Sequence, residues 1–174
     1  TMPAGPRIDS ENATIALADK GVRSSVVRLS PLVHSNLDHH GFAHRLIGTA
    51  REKGVAAYIG DGSNRWPAVH TLDAAHLYRL ALEDAPAGTR LHGVADEGVP
   101  FRDIAGVIGR HLDVPVVSIS PEEAPGHFGF LGFFASLDNP TSSTLTRKEL
   151  DWYPERPGLL DDLDEGHYFA EQEH

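Results

Sequence analysis

Imidazole and carboxylate chemistry gathers at two places in this 174-residue sequence. The first holds His34, His39, His40 and His44, with Asp38 among them. His40 and His44 have the spacing at which two imidazoles on one helical face share a metal ion. Gly41 lies between them and weakens such a helix, and no downstream Asp or Glu completes a ligand set. The cluster therefore reads as a solvated, pH-responsive loop, and no metal is expected. The second place runs from Tyr58 to Asp73, where Gly60-Asp61-Gly62 is followed by Arg65, Trp66, His70 and Asp73. Its glycines begin as a dinucleotide fingerprint does, but Arg65 stands where the third glycine should be. Trp66-Pro67 then follows, in place of a helix whose N-terminus could hold a pyrophosphate. A tight turn at positive φ is the expected role of Gly60-Asp61-Gly62.

The elements that must position these residues alternate along the chain. Ser10 is expected to cap a helix through Ala13, Ala16 and Leu17 that Gly21 ends. Ser25 to Leu29 is short and β-branched and is stopped by Ser30-Pro31, which predicts a strand. Phe42, Leu46 and Ala50 fall at helical spacing before Gly54, and Ala56 to Ile59 forms a second strand. Ala74, Leu77, Tyr78, Ala81 and Leu82 make the strongest helical stripe, with Thr71 or Asp73 as its cap and Tyr78 expected in the core. A strand over Leu91 to Ala95 precedes a helix that starts near Pro100 and buries Phe101, Ile104, Ala105, Ile108 and Leu112. Val114 to Ile119 returns as a strand that Pro115 limits to an edge or a late start. Pro, Gly and aromatic residues crowd Pro121 to Pro140, a long loop or loosely helical lid. The stretch from Thr146 to Tyr168 holds two short helices split by Pro154 and Pro157. The alternation predicts one α/β domain with some parallel pairing.

Composition narrows the function classes. A net charge of −10 offers no basic stripe for a phosphate backbone, so no nucleic-acid partner is expected. No apolar run approaches the ~20 residues that span a bilayer, and no membrane partner is expected. The sequence has no cysteine, which excludes disulfides, thiolate catalysis and Cys-based zinc sites. A cytoplasmic protein is the default expectation, although an oxidising compartment fits the cysteine count equally well. The single methionine, Met2, follows Thr1. The sequence is read either as a piece of something longer or as a start carrying one added residue.

Taken together, the strand, the Gly60-Asp61-Gly62 turn, the extended piece ending in His70-Thr71-Leu72-Asp73 and the following helix resemble the carboxyl half of the extended and atypical short-chain dehydrogenase/reductases, the NAD-dependent epimerase/dehydratase group. Leu150-Asp151-Trp152-Tyr153-Pro154 resembles that family's Leu-Gly-Trp-x-Pro before the last helix, with Asp151 in place of the glycine. The resemblance implies a Rossmann-like fold of which this chain is the substrate-side half, with a small substrate-binding subdomain. The amino-terminal nucleotide-binding half would then be absent. NAD or NADP is the cofactor implied for the complete protein, and none is implied for this chain alone.

Val27 to His34 looks like the family's strand and loop beside the nicotinamide. By that analogy Leu29 and Ser30 flank the cofactor, while Pro31 and His34 face a small-molecule substrate. The family's catalytic Tyr-x-x-x-Lys pair is missing, because Gly62, Leu82, Pro157 and Gln172 stand four residues after the tyrosines. No catalytic residue is assigned. Sugar-nucleotide members grip a pyrophosphate with an arginine at the position of Trp66, and here the arginine, Arg65, sits one residue earlier. Arg65 and Trp66 are the remaining substrate-binding candidates. A shift of one in an extended segment turns Arg65 to the opposite face, and Trp66 either lines an apolar pocket or packs against the Phe128–Phe134 region. Two readings remain: the substrate-side half of an NAD(P)-dependent epimerase, dehydratase or reductase, and a non-catalytic α/β ligand-binding module. Apolar surface left open by a missing half would also permit a homodimer.

Overall fold

In the computed structural model, which describes residues 6–170, the β-branched run Ser25–Leu29 is strand β1. Its partner is β5 (Thr89–Gly93), parallel and in register from Ser25 opposite Thr89 to Leu29 opposite Gly93. A second sheet has the order β2-β4-β6, built from Leu32–His34, Arg65–His70 and Asp96–Pro100. There β4 runs parallel to β2 and antiparallel to β6. A third pair, β3 (Ala56–Ile59) and β7 (Val116–Ile119), is parallel. Helices α1 (Pro6–Ala16), α2 (Phe42–Lys53), α3 (Thr71–Glu83) and α4 (Phe101–Leu112) flank these sheets. Four short helices follow: α5 (Ala124–Phe128), α6 (Leu131–Ala135), α7 (Thr144–Leu150) and α8 (Leu159–Asp164). The class is α/β with parallel pairing, as the alternation of elements predicts.

Strand β4 organises two cores because side chains alternate across a strand. Trp66 and Ala68 enter a core shared with α2, α4 and β3. Val69 enters the other, with Leu77, Leu91 and Trp152. The Trp66 ring lies edge-on to Phe101 at 5.1 Å and tilted against Phe42 at 5.9 Å. The turn before β4 places Gly60 at φ 60° and Gly62 at φ 66°, the conformation expected of it.

Several sequence expectations shift. Helix α1 begins at Pro6, so Ser10 lies inside the helix and not at its N-cap position; proline suits a first helical turn, where its missing N–H is not needed. The strand expected over Leu91 to Ala95 sits two residues earlier, because Ala95 already bonds across to Ala68 in the second sheet. Strands β2 and β6 were not expected at all. In Asp96-Glu97-Gly98-Val99-Pro100 only Val99 favours a strand, and the pairing with β4 imposes the extended form. Of the two forms expected for the crowded 121–140 stretch, the helical one is found, as the short helices α5 and α6.

The cap of α3 is also different. His70 is the N-cap, its Nδ1 accepting the Leu72 N–H at 3.2 Å. Both expected caps are otherwise engaged. Thr71 Oγ1 donates to the His34 carbonyl and accepts from Ser35. The buried Asp73 carboxylate accepts the N–H groups of Glu155 at 3.1 Å and Arg156 at 3.0 Å. On α3 the buried face is Asp73, Ala74, Leu77 and Ala81. Tyr78 and Leu82 are exposed instead of core, since both lie one step round the helix from that narrow stripe.

In the tail, Trp152 is fully buried and its Nε1 donates to the Asp73 carbonyl at 3.1 Å. Asp151 takes φ 50°, the left-handed conformation that a glycine in its place would adopt without steric cost. The turn is retained with an aspartate, among the better-tolerated residues at such a position.

Removing the Asp73 carboxylate leaves two backbone N–H groups without their acceptor. Asp73→Ala is expected to cost about 2–4 kcal/mol, read from urea denaturation midpoints. A loss of under about 0.5 kcal/mol, the level of a neutral surface change, would remove Asp73 from its anchoring role.

Candidate functional site

Strand β1 ends at Leu29, and the chain turns through Ser30-Pro31 into β2. Ser30 fixes this turn twice on one atom, since its N–H and its hydroxyl donate to the Gly93 carbonyl at 3.2 and 3.0 Å. Leu29, Ser30 and Pro31 form the floor of a wide cleft of about 1460 Å³. Its opposite wall comes from the end of α6 and the residues after it, chiefly Phe134, Leu137 and Asn139, with Phe42 and Phe130 alongside. A smaller cavity of about 240 Å³, reaching Pro67, His92 and Thr141, shares the same Leu29-Ser30-Pro31 floor.

The start of β4 holds the far wall in place. Asn64 Nδ2 donates to the carbonyls of Ala135 and Leu137. Trp66 Nε1 donates to the Phe134 carbonyl at 3.2 Å, and the Asn139 N–H donates to the Arg65 carbonyl at 2.9 Å. The guanidinium of Arg65 grips Asp138 through Nε at 3.0 Å and Nη2 at 2.9 Å. These hydrogen bonds of residues 64–66 define where the aromatic wall stands. Arg45 lies over the Phe130 ring at 5.3 Å and adds a cation–π contact at the rim.

Charged groups at the cleft are tied into ion pairs. Glu11 on α1 accepts from Arg28 at 2.6 and 2.9 Å and from Arg90 at 2.6 Å. The Arg28 hydrogen bond, helped by Arg90, holds the Glu11 carboxyl down at about 2. Hydrogen bonding to Arg65 lowers the Asp138 carboxyl in the same way. Neither carboxylate carries a proton to give near neutral pH. The rest of the cleft lining is largely aromatic and aliphatic, with Leu29, Phe42, Phe130, Phe134 and Leu137 among its residues.

The sequence-expected residues are distributed unevenly around this cleft. Leu29, Ser30 and Pro31 meet at its floor. Arg65 faces a neighbouring surface cavity with Gly60, Asp61 and Ser63, and its charge is spent on Asp138. Trp66 is only 2% exposed and lies beneath the wall, the packing alternative rather than the pocket-lining one. His34 is fully buried away from the cleft, with Nδ1 2.8 Å from Asp162 Oδ2 and its ring perpendicular to His70 at 5.5 Å. Burial, and then the neighbouring His34, lower the pKa of His70. His39 and His44 border a separate cavity of about 720 Å³ with Asp38, Arg51, His111 and His167. Asn139, Asp138 and the phenylalanines of the wall escaped sequence reasoning as cleft-lining residues. The aromatic crowding of residues 121–140 was the one signal for them.

No family model matches the sequence. An uncharacterised protein of Schizosaccharomyces pombe is 53% identical over 168 residues, covering 97% of this chain and 57% of its own length. One of Saccharomyces cerevisiae is 46% identical over 157 residues, covering 90% and 52% respectively. The chain thus spans just over half the length of the curated relatives it matches. Among solved structures, a dTDP-glucose 4,6-dehydratase of Streptomyces venezuelae with NAD bound superposes with a TM-score of 0.67 at 19% identity, covering 91% of this chain and 47% of that one. RMD of Pseudomonas aeruginosa, complexed with NADPH, gives 0.57 at 14% identity, over 90% and 53%. The chain shares its α/β fold with these solved structures over about half of their length.

Trp66→Ala is expected to cost about 3–5 kcal/mol, the range for truncating a buried tryptophan, measured by chemical denaturation. A change of under about 1 kcal/mol would contradict its place in the core. Glu11 supplies a pH signature with a definite sign. Its folded pKa is depressed, so its stabilisation is complete above the ordinary value near 4.5 and is lost as pH falls toward about 2. Denaturation midpoints measured across that window should fall, and Glu11→Gln should flatten the fall. An unaltered profile in the variant would remove Glu11 as the anchor of α1.

Proposed function

We propose that this chain is the substrate-side part of an NAD(P)-dependent epimerase-, dehydratase- or reductase-like protein, with the nucleotide held by another part of a longer polypeptide. The observation that carries the reading is the cleft at the carboxyl end of β1, floored by Leu29-Ser30-Pro31. In open α/β folds ligands bind outside the carboxyl ends of parallel strands, where the chain crosses to another sheet. The resemblance of Val27 to His34, His70 to Asp73 and Leu150 to Pro154 supports it. So do neighbours solved with NAD or NADPH and relatives nearly twice as long.

In this reading Leu29 and Ser30 flank the nicotinamide, and Pro31 faces the substrate together with Phe134, Leu137 and Asn139. Arg65, Trp66 and His34 act indirectly. Arg65 and Trp66 set the position of the aromatic wall, and His34 braces β2 through Asp162. With the Arg65 charge paired to Asp138, the substrate is apolar or aromatic rather than a diphosphate. The tied carboxylates, and a chain without Tyr-x-x-x-Lys, favour one other reading: a ligand-binding module of the same scaffold that performs no hydride transfer.

Calorimetry separates these readings. The chain alone is expected to give no measurable heat with NAD(H) or NADP(H), because no phosphate cradle is present in its sequence, whereas the longer protein binds one of them. Micromolar affinity in the chain alone would overturn the proposed division of labour. Binding by the longer protein, with no turnover of any carbonyl or alcohol in a broad panel, would favour the module.

A further inference from the structure

Away from the cleft, the tail folds three ligand-bearing side chains onto one point. Asp162, Glu165 and His167 each offer an atom, and all three atoms lie within 4.8 Å of one another. Local geometry brings them there. Asp162 and Glu165 are three apart at the end of α8, on one helical face. Gly166 then takes φ 84°, a left-handed step that turns the chain back, and His167 comes to face the carboxylates.

Two features of this group go unexplained by packing. Asp162 is buried, its side chain only 4% exposed, and its Oδ2 is held by His34 Nδ1 at 2.8 Å. His167 Nε2 is shielded from solvent and has no hydrogen-bond partner among the described residues; the same Asp162 oxygen, its near neighbour, is 3.9 Å away. Buried polar atoms without a partner are rare in folded proteins, and an unrecorded ion is one of their ordinary explanations.

We propose that Asp162, Glu165 and His167 bind a divalent transition-metal ion of the zinc class. One imidazole nitrogen and two carboxylate oxygens form a donor set that zinc accepts. Magnesium and calcium are hard cations that take oxygen ligands, and the imidazole nitrogen disfavours them. The two carboxylates balance the ion's charge, and the ion supplies the missing partner of His167 Nε2. His34 then has a definite role. Its hydrogen bond orients the Asp162 carboxylate from behind, as outer groups orient metal ligands generally. With three protein ligands the fourth position stays open, the pattern of zinc sites that hold a water or a small anion. His167 also borders the cavity that contains Asp38, His39 and His44, so that open position gives onto a chamber with further hydrogen-bonding groups.

The test uses the untagged chain, freed of metal with a chelator and then titrated with Zn²⁺ by calorimetry and with Co²⁺ by visible absorption. Saturable uptake of one ion is expected, with the intense visible bands of tetrahedral Co²⁺. Glu165→Gln and His167→Gln should each weaken it by about tenfold or more, while His76→Gln, on the exposed face of α3, should leave it unchanged. Glu165 is exposed, so its variant keeps the fold, which circular dichroism checks. Absence of one-site uptake in the wild-type chain would overturn the proposal. So would uptake that both ligand variants retain at full affinity, which would place the ion among the other histidines.

Discussion

The carboxylate of Asp73 is the tie on which the arrangement depends. Strand β4 passes into α3 with no intervening residue, so strand and helix act as one rigid lever. At the Arg65 end this lever carries the contacts that hold the aromatic wall of the cleft. At the other end Asp73 accepts the N–H groups of Glu155 and Arg156, and its carbonyl accepts Trp152 Nε1. The tail is thereby fixed before α8 begins. Asp96 then takes the Leu159 N–H at 2.8 Å and orients the start of that helix. Only after both steps can Asp162 reach His34. A buried carboxylate needs such donors to offset its lost hydration, and backbone N–H groups provide them without adding a second charge.

The ion pairs around the cleft act by a different route. Arg65 and Asp138 are both about half exposed, at 46% and 49%, and an exposed pair contributes little to stability. Its consequence is for recognition. A guanidinium engaged bidentately has few donors left for a diphosphate. Glu11 likewise occupies Arg28 and Arg90, one from each strand of the β1–β5 pair. The remaining recognition surface is dominated by exposed aromatic and aliphatic side chains: Phe130, Phe134, Leu137 and Leu29. An exposed apolar group of this kind marks a place where something binds.

What could be read from the sequence was local. Helices α2 and α4 follow from apolar spacing, and their ends from Gly54 and from the residues around Pro100. The Gly60-Asp61-Gly62 turn follows from the need for positive φ. Strand β6 was hidden because Val99 is the one strand-favouring residue in Asp96-Glu97-Gly98-Val99-Pro100, and its pairing with β4 supplies the extended form. Tyr78 was misplaced because a helical stripe shows which residues share a face but not how wide a strip the neighbouring sheet covers. Leu29, Ser30 and Pro31 were singled out by family resemblance, and the structure places them together in the lining of one cleft. The pairing of His34 with Asp162 spans 128 positions, and that of Arg65 with Asp138 spans 73. No short-range pattern encodes contacts of that kind.

His70 shows how one such long-range environment decides a local feature. A helix cap must accept the N–H groups of the first turn, and an imidazole does so only while the nitrogen concerned is unprotonated. In a solvated setting His70 would begin to charge as pH fell toward its ordinary value, and Nδ1 would become a donor facing another donor. Burial against β2, together with the neighbouring His34, depresses its pKa and keeps Nδ1 an acceptor. The sign of the linkage follows. Because the unfolded chain takes up this proton more readily, the contribution is complete above the ordinary histidine value and is lost as pH falls. The packing that places His34 on Asp162 is thus also what allows a histidine to cap α3, and that leaves Asp73 free to anchor the tail.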